Sequence, residues 1–305
     1  MEKDSLIKKE ITFAAIVLLI GLVFAPYTNA GINEASFNRS QYTPHDPIYI
    51  NGNDDFTSEN GVTGGSGASS DPYVIEGWEI EASSMDGITI RNVSVFFEIR
   101  SCYIHEGGIN KDGVVLMNVT NGAIENSLIT GNRNGIMFRM QYPGKENSEN
   151  NKIHNNTITS NSNDGINFEH IGRGYHSDNI ISNNNLSNNN RGIYMIMSAE
   201  NLIFYNNIIS NGEGIFLDLC TGGGGYNKIH HNNFINNSEH AYNKGPNKWF
   251  KFGRGNYWDD WDGLRFKWAR FFPFLLPYKI SGSCYYYNKS QFDWFPAYEP
   301  YDIEV

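Results

Sequence analysis

The stretch NNKIHNNTITSNSNDGINF, residues 150–168, decides how this chain is read. Ile153 and Ile158 stand five apart, Asn156 lies between them, and Gly165-Ile166 follows. The segment is too polar for a core helix and too rich in asparagine for an ordinary strand. It makes sense only as one copy of a repeat.

The spacing recurs as Ile75/Ile80, Ile99/Ile104, Ile124/Ile129, Ile153/Ile158, Ile181/Leu186, Ile203/Ile208 and Ile229/Phe234. First members are 24, 25, 29, 28, 22 and 26 residues apart. Three residues after each first member come Trp78, Cys102, Ser127, Asn156, Asn184, Asn206 and Asn232. A glycine followed by an apolar residue then closes six copies, from Gly87-Ile88 to Gly214-Ile215, and His240-Ala241 closes the seventh. No run of ten or more residues keeps a helical spacing. A propeller blade needs about 40 residues. A period near 25 with short β-branched segments predicts an all-β, right-handed parallel β-helix (a solenoid) of about seven coils. At ~4.8 Å per coil the stack is about 29 Å long. Isoleucine stacks on isoleucine inside, and the asparagine column sits at a bend, where stacked amides bond and left-handed backbone is tolerated. The glycines are assigned to a second bend.

Solenoid ends must be capped. Residues 31–72, with the glycine-rich GNDDFTSENGVTGGSGASSDPY, are expected to cap the front, 73–248 to form the repeats, and 249–305 to form an aromatic C-terminal cap. Residues 1–30 contain ITFAAIVLLIGLVFA, an apolar run of 15 that suits a signal peptide or an uncleaved anchor. Either places the rest of the chain outside the cytoplasm, extracellular or at the cell surface. A net charge of −10 argues against nucleic acid as partner. Export permits disulfides, and three cysteines, Cys102, Cys220 and Cys284, leave their pairing open. Membrane contact is assigned only to the N-terminal segment or to FFPFLLP, Phe271 to Pro277.

The repeats, INGNDDFTSENGVTGGSGASSDPYVIEGWEI at the front, and GNYWDDWDG with PYKISGS and DWFPAYEP at the back, resemble the NosD-type right-handed parallel β-helix family. The likeness is to its exported forms, common in archaea, and covers roughly residues 46 to 300. It implies a β-helix related to carbohydrate-active ones. NosD itself is tied to copper-centre assembly, so the resemblance also raises a copper-accessory role. The Asp/Gly-rich loop common in the family is replaced here by RFKWARFFPFLLP, although Asp259, Asp260 and Asp262 remain.

Two places offer chemistry. The residues just before the closing pairs are Asp86, Asp112, Asn134, Asp164, Arg191 and Glu213. Acids such as Asp86 and Asp112 on neighbouring coils can hold calcium, or serve only as bend residues. The second place follows the third strand of the middle coils. For sugar chemistry, Arg139 or Arg173 would hold a carboxylate, His170 or Glu169 would act as base, and Tyr175 or Tyr142 would stack or donate a proton. Tyr142, His176 and Asp218 are ligand-binding candidates. For copper, His170, His176, Met195, Met197 and Cys220 supply soft ligands. The expectation is a binding or structural protein with a glycan as partner. A polysaccharide lyase or epimerase is the second reading, and copper handling the third.

Overall fold

The computed structural model describes residues 38–140, 147–169, 174–218, 226–261, 276–282 and 290–305. The chain divides into two units, Met1–Gln41 and Tyr42–Val305. Of the first, only a 3-10 turn at Arg39–Gln41 is described beyond Asn38.

In the second unit each copy of the repeat supplies one strand to each of three parallel sheets, of nine, eight and seven strands. The seven-stranded sheet joins the first isoleucines in register, Ile75, Ile99, Ile124, Ile153, Ile181, Ile203 and Ile229. The nine-stranded sheet joins the second members, from Ile80 through Ile158 to Phe234 and on to Trp258. The eight-stranded sheet joins Ile88, Val114, Ile136, Ile166, Ile193, Ile215 and Ala241. These columns are buried and form one core. Each buried aliphatic side chain contributes ~1.5–3 kcal/mol. The stretch expected to cap the front carries two strands of its own, Thr43–His45 and Ile48–Asn51, paired to the first coil.

Asparagine ladders run up all three bends. One links Asn151, Asn179, Asn201, Asn227 and Asn247. A second links Ser127, Asn156, Asn184, Asn206, Asn232 and Asn256. A third links Asn132, Asn161, Asn189, Asn211 and Asn237. In each, a backbone N–H donates to the amide oxygen of the next coil. The ladder residues themselves are not left-handed. The residue before most of them is, as at Asn155 (φ 57) and Asn183 (φ 56), the exceptions being Pro246 before Asn247 and Gly255 before Asn256. The repeated glycines also have a different cause from the bend first assigned. Gly113 and Gly165 have no positive φ, but a Cβ on them would lie 2.6 and 2.7 Å from the carbonyl oxygen of the next coil's glycine. Close approach of coils, not turn conformation, requires them.

The described residues of the aromatic tail pack on the last coil. Trp258 stacks on Phe234 at 4.2 Å and on Tyr278 at 4.1 Å, prolonging the second apolar column. Strands Tyr278–Ile280 and Gln291–Asp293 form an antiparallel pair in this tail. Beside it, His230 and His231 meet Nδ1 to Nδ1 at 2.7 Å. Burial pushes His230 down to about 4, helped by His231 and Lys251. Its folded value lies below the unfolded one, so the unfolded chain binds more protons between about pH 4 and 6.5. Stability is therefore present above pH 6.5 and lost as pH falls through that window, by up to about 3 kcal/mol. His230→Phe, matching its register neighbour Phe204, is expected to remove that slope in denaturation midpoints measured across this range.

Candidate functional site

The outer side of the eight-stranded sheet gathers the charged and aromatic residues. Along strand Arg191–Ile196, Ile193 and Met195 face the core, so Tyr194 faces outward. Its register partners are Phe216 and then Tyr242. The three half-buried rings form a ladder along the stack, with centroids 5.5 and 4.7 Å apart, the second pair stacked. The Arg191 guanidinium lies 3.7 Å from the centre of the Tyr194 ring. Lys244 lies 5.4 Å from Tyr242 and pairs with Asp218 at 3.2 Å.

The column of acids borders this ladder. Asp164 and Arg191 are register partners, and Arg191 donates through Nε at 2.6 Å and Nη2 at 3.0 Å. Burial pushes the Asp164 carboxyl up, and Arg191 pulls it back. Asp112 is buried and receives Arg133 through Nε at 2.9 Å and Nη2 at 2.6 Å, and Arg139 at 2.6 Å. Its backbone N–H donates to Asp86 at 2.9 Å. Arg139 also reaches Asp86 at 3.5 Å and Glu169 at 4.0 Å. Asp86 and Asp112 do meet, with two guanidinium groups supplying the charge a calcium ion would bring. Arg139 is engaged by carboxylates of this chain. Opposite charges packed this way form a polar, near-neutral strip beside an aromatic one.

The other candidates scatter. His176 is buried, with Nδ1 accepting from the Ser148 N–H at 3.1 Å and Nε2–H donating to the Glu169 carbonyl at 3.1 Å. Met195 lies in the core, while Met197 and Tyr175 are half-buried. Tyr142, His170, Arg173, Cys220 and Cys284 lie outside the described residues, as does most of Phe271 to Pro277. Cys102 is buried and free, its thiol pushed up to about 11 by burial. The described donors therefore do not assemble a copper set.

One cluster was missed at the sequence level. His240, Asp259 and Asp260 bring their ligand atoms within 4.8 Å of one another. His240 stands in the glycine column, which was the available signal. Asn237 donates to His240 Nδ1 at 3.2 Å, and its own oxygen is held by Asn211. That leaves the proton on Nε2, facing Asp259 at 2.7 Å. The cluster is a histidine hydrogen-bonded to a carboxylate, with a second carboxylate beside it, at the edge of the cap. Tyr194, Phe216 and Tyr242 were missed too, although each falls two residues after the closing position of its copy.

Residues 33–263 match the family described as periplasmic copper-binding protein (NosD). No curated protein matches the chain. Among solved structures, a periplasmic alginate epimerase, AlgG, is similar at 16% identity over 59% of this chain and 44% of its own, with a TM-score of 0.50. Pectate lyase Pel9A is similar at 14% identity over 73% of this chain and 53% of its own, with a TM-score of 0.42. The tailspike of an E. coli bacteriophage, solved with a pentasaccharide, is similar at 15% identity over 61% and 46%, with a TM-score of 0.38. The chain spans about half the length of these structures, and at such identities the likeness is one of fold.

Proposed function

Since the chain belongs to the NosD family of parallel β-helix proteins, we propose that it is an exported, non-catalytic binding protein that holds a glycan chain along the outer side of its eight-stranded sheet. The observation that carries this reading is the ladder Tyr194–Phe216–Tyr242, flanked by Arg191 and Lys244. Flat rings offer apolar faces to sugar C–H groups, and the adjoining ion pairs offer donors and acceptors to hydroxyls. The ladder runs across coils, so its ligand is chain-like. Asp218, paired to Lys244, sits at its far edge. Periplasmic placement, which the family description carries, agrees with the apolar run of residues 11–25 acting in export.

Binding rather than turnover is supported by the engagement of Arg139 with Asp112 and Asp86. A lyase needs such a group free for the sugar carboxylate. The test is an oligosaccharide array followed by titration of the best ligand. Tyr242→Ala is expected to weaken binding by about tenfold or more, a loss of at least ~1.4 kcal/mol. The reading is abandoned if no oligosaccharide binds above background. Incubation with uronic-acid polysaccharides, followed by ultraviolet absorbance of an unsaturated product, is expected to stay flat. A rise abolished by Arg139→Ala would replace binding with lyase chemistry.

A further inference from the structure

The left-handed positions that precede the ladder residues change character toward the C-terminal end. Along one edge of the seven-stranded sheet they read Asn121, Asn150, Asp178, Glu200 and then Tyr226. Along the other they read Asn126, Asn155, Asn183 and then Tyr205 and His231. Asparagine takes φ near +55° at little cost, whereas a bulky side chain there is an outlier. Beyond them, Phe252 is held at φ 50 and is 94% exposed. Tyr226 is 55% exposed.

Phe252 and Gly253 form the tip of a two-residue turn. Lys251 and Arg254 exchange backbone hydrogen bonds of 2.8 and 3.0 Å across it. With φ of 50 and 74 at the tip, such a turn favours asparagine or glycine at the position of Phe252. The phenylalanine therefore carries backbone strain and also leaves an apolar ring in water. Around it the charge runs against the whole chain, whose net charge is −10. Lys251 and Arg254 flank the ring, and the bridge partners Lys228 and Lys248 are exposed on successive coils nearby. Lys228 and Lys251 both act on His230, which places them at the same edge. None of the four cations makes an ion pair among the described residues.

We propose that this turn is a membrane-contact finger: Phe252 enters the interface of an anionic lipid bilayer while Lys251, Arg254, Lys228 and Lys248 meet the headgroups. A ring clear of the surface gains by entering a soft apolar layer, and unpaired cations around it gain from anionic lipid. A polysaccharide would instead favour rings lying flush, as in the ladder on the eight-stranded sheet. The finger stands at the edge of the seven-stranded sheet, so lipid contact leaves the proposed glycan face open.

The test is co-sedimentation of the full chain with vesicles of phosphatidylcholine alone or mixed with phosphatidylglycerol. Residues 11–25 are present in every variant, so a difference between variants does not come from them. The wild type is expected to prefer the anionic vesicles by about tenfold or more. Phe252→Gly relaxes the backbone, so it keeps the fold, and it is expected to lose most of the anionic binding. Lys251→Ser with Arg254→Ser is expected to abolish the preference. The proposal is overturned if the wild type shows no preference, or if Phe252→Gly binds as tightly as the wild type. It is equally overturned if a soluble acidic polysaccharide competes for the cations while Phe252→Gly changes nothing.

Discussion

Asn184→Ala is expected to lower the free energy of unfolding by about 4 kcal/mol, because several buried groups lose their partners at once. The Asn184 amide donates to the carbonyls of Ile153 and Ser182 at 3.0 Å each, and to the Asn206 oxygen at 3.0 Å. Its own oxygen accepts the Asn156 backbone N–H and side-chain amide, both at 3.0 Å. Alanine leaves the Asn156 N–H buried without an acceptor, at a cost of about 1–3 kcal/mol for that group alone. Ser187→Ala, on the same coil but half-buried, is expected to change stability by about 0.5 kcal/mol or less. Urea midpoints of the two variants measure the contrast. Equal midpoints would show that the ladder contributes nothing beyond surface polarity.

Asp293→Ala is the second large effect, and it acts at the end of the same ladder. The Asp293 carboxylate accepts the Asn256 backbone N–H at 2.7 Å, the Trp258 indole N–H at 3.0 Å, the Phe295 N–H at 3.0 Å and the Asn256 amide at 3.3 Å. It terminates the ladder where no further coil supplies an amide. Removing it leaves these donors buried, and a loss of about 4 kcal/mol is expected. Limited proteolysis should then cut the segment 276–305 at protease levels that spare the wild type. Asp293→Asn is expected to cost about half as much, since one oxygen still accepts. Wild-type protease resistance in Asp293→Ala would remove this residue from the cap's anchorage.

Asp293 also carries a pH signature. Burial pushes its carboxyl up to about 6, against the hydrogen bonds that pull it down. The folded chain thus binds the proton more tightly than the unfolded one. This contribution to stability is fully present below about pH 4 and is lost as pH rises to about 6. His230 slopes the opposite way over much of the same range. His230→Phe should therefore expose the falling limb of Asp293, and Asp293→Asn the rising limb of His230.

Much of the fold was legible because a solenoid is nearly one-dimensional. Residues that stack in space recur in the chain, so the isoleucine columns and one asparagine column are visible as spacing. Strand parity was also legible in principle. Met195 lies two residues after Ile193 and so shares its core side, which removes it from any outer metal site. The glycines show the limit of such reading. Their recurrence is plain, but carbonyl contact and left-handed backbone leave the same mark in a sequence.

From its residues alone, this chain is committed to a parallel β-helix, with isoleucine inside and asparagine at the bends, because each copy of the repeat must bury the same apolar positions. The tertiary structure decided which outer residues meet. Coils of 22 to 29 residues differ in their loops, so the distance along the chain does not say which side chains share a face. The register between strands closes Arg139 onto Asp112 and sets how closely the rings of Tyr194, Phe216 and Tyr242, which share one repeat position, stack. Hydrogen bonding between coils sets that register, and it is a property of pairs of segments that no single segment carries.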